Sequence, residues 1–293
     1  MKNVLRTPDE RFAGLADWPH VPRYFRRSDG LRLHYIDEGP RDAKVFLCLH
    51  GQPTWSYLYR RMIPVFIAAG HRVVAPDFPG FGRSDKPTDE ATYTFEFHRD
   101  AVLDLVAALD LRNIVLVVQD WGGLIGLTLP MADPERYVGL LVMNTMLGTG
   151  DVPLLQGFLD WRAFSNGRPD MDIAGLMRRA CPHLAAAEAA AYGAPFPDAS
   201  YKAGVRRFPN LVPDRPDADG AALSRAARTF WRERWNGRSL MAIGMKDPVL
   251  GPPVMRALYN DIRNCLPPIE IAEGGHFVQE WGESIAKAAV AAL

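Results

Sequence analysis

Apolar residues fall into two rhythms along the first half of the chain. The segments "KVFLCLHG" (44–51), "HRVVAPDFPG" (71–80), "NIVLVVQD" (113–120) and "YVGLLVMNT" (137–145) carry short continuous apolar runs. Runs of that length with no polar face predict strands buried on both sides of a sheet. "LRLHYIDEG" (31–39) alternates instead, as a strand with one polar face does. Between the runs, "EFHRDAVLDLVAALDL" (96–111) repeats its apolar positions at helical spacing. Strands alternating with helices predict a mostly parallel central sheet flanked by helices on both faces. In such sheets, reactive groups gather beyond the carboxyl ends of the strands.

After Thr145 the rhythm changes. Helix-like pieces such as "LLQGFLDWRAF" and "AALSRAARTFWRERW" are joined by turns rich in Pro and Asp, including "APFPD" and "VPDRPDADG". The strand pattern resumes at "SLMAIGMKD" (239–247) and "PPIEIAEGGH" (267–276). The expected organisation is therefore a core of residues 1–147, a helical cap of 148–231 inserted into it, and a second core segment, 232–293.

Composition narrows the setting. The 293 residues are 48% hydrophobic and 23% charged, with 34 Lys plus Arg against 34 Asp plus Glu, so the formal net charge is zero. No nucleic-acid or membrane partner is expected from that balance. Cys48, Cys181 and Cys265 fit no metal spacing, and free thiols in a cytoplasmic protein are expected. The opening "MKNVLRTPDERFAGL" shows no apolar signal region. Neither a metal nor an organic cofactor is implied, and a monomer is expected.

The chemistry begins at "VLVVQDWGGLIGL" (115–127), where an apolar strand ends in Asp120 and a helix starts at Trp121. A strand–turn–helix with a nucleophile at its bend needs small residues just after it, here Gly122 and Gly123. The position two before Asp120 is Val118, so the nucleophile would be a carboxylate rather than a serine. Taken alone, Asp120 reads better as the N-cap of the helix.

Two further strand ends supply partners. Asp247 follows the strand at 239–247 and His276 follows the last one, giving the chain order nucleophile, acid, histidine of an α/β-hydrolase triad. Asn144, at the end of the fifth strand, cannot be the acid, and Glu273 and Asp151 are weaker substitutes for Asp247. "HGQPTW" (50–55) follows the strand at 44–49. In this fold the N–H groups of that loop and of the residue after the nucleophile form an oxyanion hole, here those of Gln52 and Trp121.

Taken together, "HGQPTW", "PDFPGFGRSDKP", "VVQDWGGLIGL", "MAIGMKD" and "EGGHFVQEWGE" resemble the haloalkane dehalogenases of the α/β-hydrolase superfamily. The cap phrases "DWRAF", "APFPDASYKAGVRRFPN" and "FWRERWNG" resemble the subfamily with two tryptophans at its halide site. The resemblance implies cleavage of a carbon–halogen bond in an apolar haloalkane through an ester on Asp120, which water activated by His276 then hydrolyses. It assigns the halide to Trp121 and Trp161, and leaves Trp55, Trp231 and Trp235 as packing residues. It also places Leu124, Phe158, Phe208, Pro209, Val212, Val249 and Leu250 around the substrate. Gln52 departs from the Glu or Asn common at its position. An epoxide hydrolase shares the Asp–His–Asp set but needs an acid for the ring oxygen, for which Tyr192 and Tyr201 are available. A binding protein without activity is the remaining alternative on this fold.

Overall fold

The computed structural model describes residues 3–293, so Met1 and Lys2 of the first expected core segment lie outside it. In chain order the strands are β1 (Val4–Leu5), β2 (Arg23–Arg26), β3 (Arg32–Glu38), β4 (Val45–Leu49), β5 (Arg72–Pro76), β6 (Lys86–Pro87), β7 (Ile114–Gln119), β8 (Tyr137–Met143), β9 (Arg238–Gly244) and β10 (Ile269–Ile271). Eight of them form one sheet in the order β10-β9-β8-β7-β4-β5-β3-β2. Every pairing from β10 to β5 is parallel, and only β3 and β2 join antiparallel. Strands β4, β5 and β7 are buried at every residue, as continuous apolar runs require. The edge strand β2, with arginine at both ends and no buried residue, carries too little apolar signal to be read from sequence.

Helices α1 (Ile63–Ala68), α2 (Phe95–Ala108) and α3 (Trp121–Gly126) alternate with the first strands. Thr94 caps α2, its side chain accepting from the Phe97 N–H, and Phe95, His98, Ala101, Val102, Leu105 and Val106 form the buried stripe. The helix stops at Ala108, short of the 96–111 expected. Asp110 takes the left-handed conformation at φ +41°. Its N–H and that of Leu111 donate to the carbonyls of Ala107 and Val106, which closes the last turn as a Schellman motif. An aspartate tolerates that backbone almost as asparagine does, which is why no glycine marks the helix end.

Between β8 and β9 the chain leaves the sheet. It forms α4 (Gln156–Asn166), α5 (Ile173–Ala180), α6 (Ala186–Gly193), α7 (Ala203–Arg207) and α8 (Ala221–Glu233), then returns. Helix α8 runs past the 231 boundary drawn from sequence, and its Trp231 indole donates to the Leu127 carbonyl in the core. Helices α9 (Pro252–Tyr259) and α10 (Gly282–Ala292) complete the flanks. No helix among the described residues is long and apolar enough to cross a membrane. Cys48 and Cys181 are buried and Cys265 half-buried, all as free thiols.

The inserted helices are tied down by buried charge. Arg60, just before α1, donates to Glu188 of α6 at 2.8 Å and, as a fork, to Glu280 at 2.7 and 2.8 Å. Arg61 joins the same two carboxylates, and the Tyr192 hydroxyl donates to Glu280. Burial opposes charge here, but the paired carboxylates hold the Arg60 guanidinium firmly protonated. Removing one partner of such a set strands the others. The Arg60→Met protein should lose about 3–5 kcal/mol of unfolding free energy, read as a lower urea midpoint; a loss under about 0.5 kcal/mol would show that the network holds nothing.

Candidate active site

The bend between β7 and α3 puts Asp120 at φ +50°, ψ −123°, a backbone that side-chain-bearing residues seldom adopt. Three contacts hold it there. Its N–H donates to Asn144 O at 2.9 Å, Thr145 Oγ1 donates to its carbonyl at 2.7 Å, and the next turn packs too tightly for a side chain. A Cβ on Gly122 would come within 2.0 Å of Leu49 O, and one on Gly123 within 2.1 Å of Thr145 Oγ1. The Asp120 carboxylate does not cap α3. Its Oδ1 instead accepts from the Gln52 N–H at 2.7 Å, so the capping role open to it in sequence is not the one it plays.

His276 Nε2 lies 3.6 Å from Asp120 Oδ2, and His276 Nδ1 lies 2.9 Å from Asp247 Oδ2. The three expected side chains therefore meet, although 156 and 29 positions separate His276 from Asp120 and Asp247 (276 − 120 and 276 − 247). Burial disfavours charge on the imidazole. The Asp247 charge and contact with Asp120 outweigh it and raise the His276 pKa to about 10. Burial likewise opposes the Asp247 charge, but His276, the Val249 N–H and the Asn144 amide together hold that carboxyl below its usual range. Asn144 donates to Asp247 Oδ2 at 2.9 Å and accepts from the Gly244 N–H at 2.7 Å. Unable to be the acid itself, it braces the acid, a role visible only once β8 and β9 pair. Glu273 pairs with Lys246, and Asp151 with Arg225 and Arg228, so neither reaches His276.

A cavity of about 330 Å³ opens onto Asp120 and His276. Leu124, Phe158, Val212, Val249 and Leu250 line it as expected from sequence, joined by Met146, Leu176, Pro248 and Phe277, which sequence reasoning did not single out. Phe208 and Pro209 do not line it. Phe208 is fully buried and stacks on the far face of the Trp121 ring, centroids 4.4 Å apart, so it supports the indole rather than the substrate space. Pro209 sits in the same short helical turn and is likewise buried. Arg179 of α5 and Lys246 stand exposed at the rim.

Trp121 and Trp161 both border the cavity, and no protein acceptor engages either indole N–H among the described residues. The three tryptophans assigned to packing by the resemblance differ in this respect. Trp55 donates to Ala191 O, Trp231 to Leu127 O and Trp235 to Ser239 Oγ. An unspent indole N–H beside an apolar space suits a weakly basic anion, because indole donates and cannot accept. Gln52 presents its backbone to Asp120 while its side-chain Nε2 donates to Val205 O of α7 at 3.0 Å. Tyr192 is committed to Glu280, and neither it nor Tyr201 borders the cavity. Among the described residues no three His, Cys, Asp or Glu side chains are grouped as metal ligands.

Residues 44–283 match the model of the α/β-hydrolase fold family. The chain is 46% identical to a haloalkane dehalogenase of Psychrobacter cryohalolentis, over 97% of this chain and 96% of that one. It belongs to the haloalkane dehalogenase family. A Mycolicibacterium paratuberculosis haloalkane dehalogenase is 41% identical across 95% of this chain and 94% of its own. Among solved structures, the haloalkane dehalogenase DpaA of Paraglaciecola agarilytica superposes with a TM-score of 0.97 at 49% identity, over 99% of each chain. DpaA is a tetramer, in contrast to the monomer expected here from sequence. The Asp–His–Asp geometry, the apolar cavity and the paired indoles are thus found in a chain of haloalkane dehalogenase ancestry.

Because Asp120 is one of the two carboxylates that raise the His276 pKa, its neutralisation has a signed consequence. The Asp120→Asn protein should show a His276 titration midpoint lower by about one unit or more, followed by NMR of the imidazole. An unchanged midpoint would mean that the two groups do not interact.

Proposed function

We propose that this chain hydrolyses carbon–halogen bonds in apolar halogenated alkanes, releasing an alcohol and a halide ion. The observation that carries the reading is a carboxylate, not a hydroxyl, at the elbow of an apolar cavity with two unspent indole donors. A tetrahedral carbon bearing a halogen offers no carbonyl to polarise. A carboxylate already ionised can displace the halide in line without a base to deprotonate it first. Asp120 forms the new C–O bond while the carbon–halogen bond breaks and the halide leaves with its electron pair. Trp121 and Trp161 receive that anion, which would otherwise be stranded in a dry site.

The ester left on Asp120 does have a carbonyl. His276 takes a proton from water, and the hydroxide adds to that carbonyl carbon. The Gln52 N–H, already on Oδ1, and the Trp121 N–H at the start of α3 stabilise the oxygen as it becomes negative. Asp247 holds the imidazole by Nδ1 and stabilises its charged form. Collapse of the adduct breaks the ester bond, the alcohol leaves with the proton held by His276, and ionisation of the Asp120 carboxyl releases one proton. The epoxide alternative loses support because neither tyrosine it needs borders the cavity and Tyr192 is committed to Glu280.

Incubation with 1,2-dibromoethane should release bromide; ring opening of styrene oxide without bromide release would replace this reading with the epoxide one. The His276→Phe protein should release one equivalent of bromide and then stop, with the alkyl adduct on Asp120 seen by mass spectrometry. An unmodified Asp120 would reject the covalent route. Trp161→Phe should weaken bromide quenching of tryptophan fluorescence by about tenfold in affinity, the scale of one hydrogen bond to a charged group; an unchanged affinity would remove Trp161 from the halide site.

A further inference from the structure

The Gln52 N–H that meets the nucleophile shares its peptide bond with the Gly51 carbonyl, and that carbonyl is crowded with donors. Gly51 O accepts from His50 Nδ1 at 2.8 Å, from Thr54 Oγ1 at 3.0 Å and from the Thr54 N–H at 3.1 Å. At the opposite end of the same planar unit, the Gln52 N–H points at Asp120 Oδ1, 2.7 Å away. His50 and Thr54 are fully buried, and neither borders the cavity. The direction of the His50 bond is fixed by its other nitrogen. The Phe78 N–H donates to His50 Nε2 at 2.9 Å, so the lone pair lies there and the ring hydrogen lies on Nδ1. Burial pushes the His50 pKa down and so favours this neutral ring.

We infer that His50 and Thr54 are positioning residues that aim and strengthen the Gln52 N–H for ester hydrolysis, acting through the Gly51 carbonyl. This inference rests on the covalent route proposed above. A peptide unit held at both Cα atoms can still turn about the line joining them. Gly51 is pressed so close to the nucleophile that a Cβ there would come within 2.4 Å of Asp120 Oδ1, and Gln52 is tethered through its side chain to Val205 O. What remains free is the tilt of the plane. Any rotation that takes the Gly51 oxygen off its donors also takes the Gln52 N–H off Asp120. Donors on the oxygen further draw electron density out of the amide and make its N–H a stronger donor. That N–H acts on the two half-reactions with opposite sign. Before reaction it stabilises the Asp120 carboxylate, which makes the nucleophile less eager. During hydrolysis it faces the ester oxygen as negative charge develops, and lowers the barrier.

The opposite signs give the test. Thr54→Val keeps the shape and removes one of the three donors. In single-turnover experiments with 1,2-dibromoethane, ester decay should slow about fivefold, the scale of one hydrogen bond, while the bromide burst keeps its rate or rises. Thr54→Ser restores the hydroxyl and should bring decay back to within about twofold of the parent. Unchanged decay, equal slowing of burst and decay, or a Thr54→Ser protein as slow as Thr54→Val would overturn the inference and leave a packing role. The bond itself can be followed in the His276→Phe background, where the ester is trapped. Adding Thr54→Val should move its infrared carbonyl band to higher wavenumber, and an unmoved band would overturn the inference. Should the Thr54 variants fail to fold, ¹⁵N NMR of the unaltered chain decides. The His50 hydrogen should sit on Nδ1 near neutral pH. A ring protonated only at Nε2 would overturn the proposal, because Nδ1 would have nothing to give the Gly51 carbonyl. An adduct in His276→Phe together with unmoved Thr54→Val rates sinks this inference alone, whereas a missing adduct sinks the covalent route beneath it.

Discussion

The site depends on one awkward backbone position. Asp120 at φ +50° aims its carboxylate out of the end of β7 while α3 begins directly behind it. A residue in that conformation costs about 1–3 kcal/mol and persists only where its surroundings hold it. Here they are a carbonyl from Asn144, a hydroxyl from Thr145 and two glycines that let the helix approach β4 and β8. Relaxing the bend would swing the carboxylate away from His276 and the Gln52 N–H together. Strain at the elbow is thus the condition for both half-reactions of the proposed scheme.

The surrounding electrostatics serve a group that must change character during the cycle. Asp247 is buried and satisfied by three donors, so it remains a carboxylate throughout. In the proposed route Asp120 is converted to a neutral ester, and His276 answers to both carboxyl groups. Placing the base between a permanent and a temporary anion lets the chemistry itself lower its proton affinity when a base is needed. In the proposed route the indole pair completes the arrangement by receiving the halide.

The parts of this site that follow from local rules were legible in the sequence. Continuous apolar runs marked β4, β5, β7 and β8, and reactive residues just past strand ends marked Asp120, Asp247, His276 and the Gln52 loop. What escaped depends on pairing between distant segments. Asn144 braces Asp247 only because β8 lies beside β9, and Phe208 backs Trp121 only because α7 and its following turn fold over the elbow. Gln119 carried a weak signal, an amide at the end of an otherwise apolar run, but nothing in the chain order says that it meets His276. The edge strand β2 lacks the apolar run that revealed its neighbours, and the end of α2 is hidden because Asp110 does there what a glycine usually does.

The inserted helices divide their labour. Those that border the cavity, α4 through Phe158 and Trp161 and α5 through Leu176, Arg179 and Ala180, are not the ones that anchor the insertion. The anchor is α6, whose Glu188 and Tyr192 lock onto Arg60 and Glu280 and contribute nothing to the lining. Selection for a longer or bulkier substrate can therefore rewrite one pair of helices while the fastening stays untouched. Such an enzyme can drift in appetite without first having to come apart.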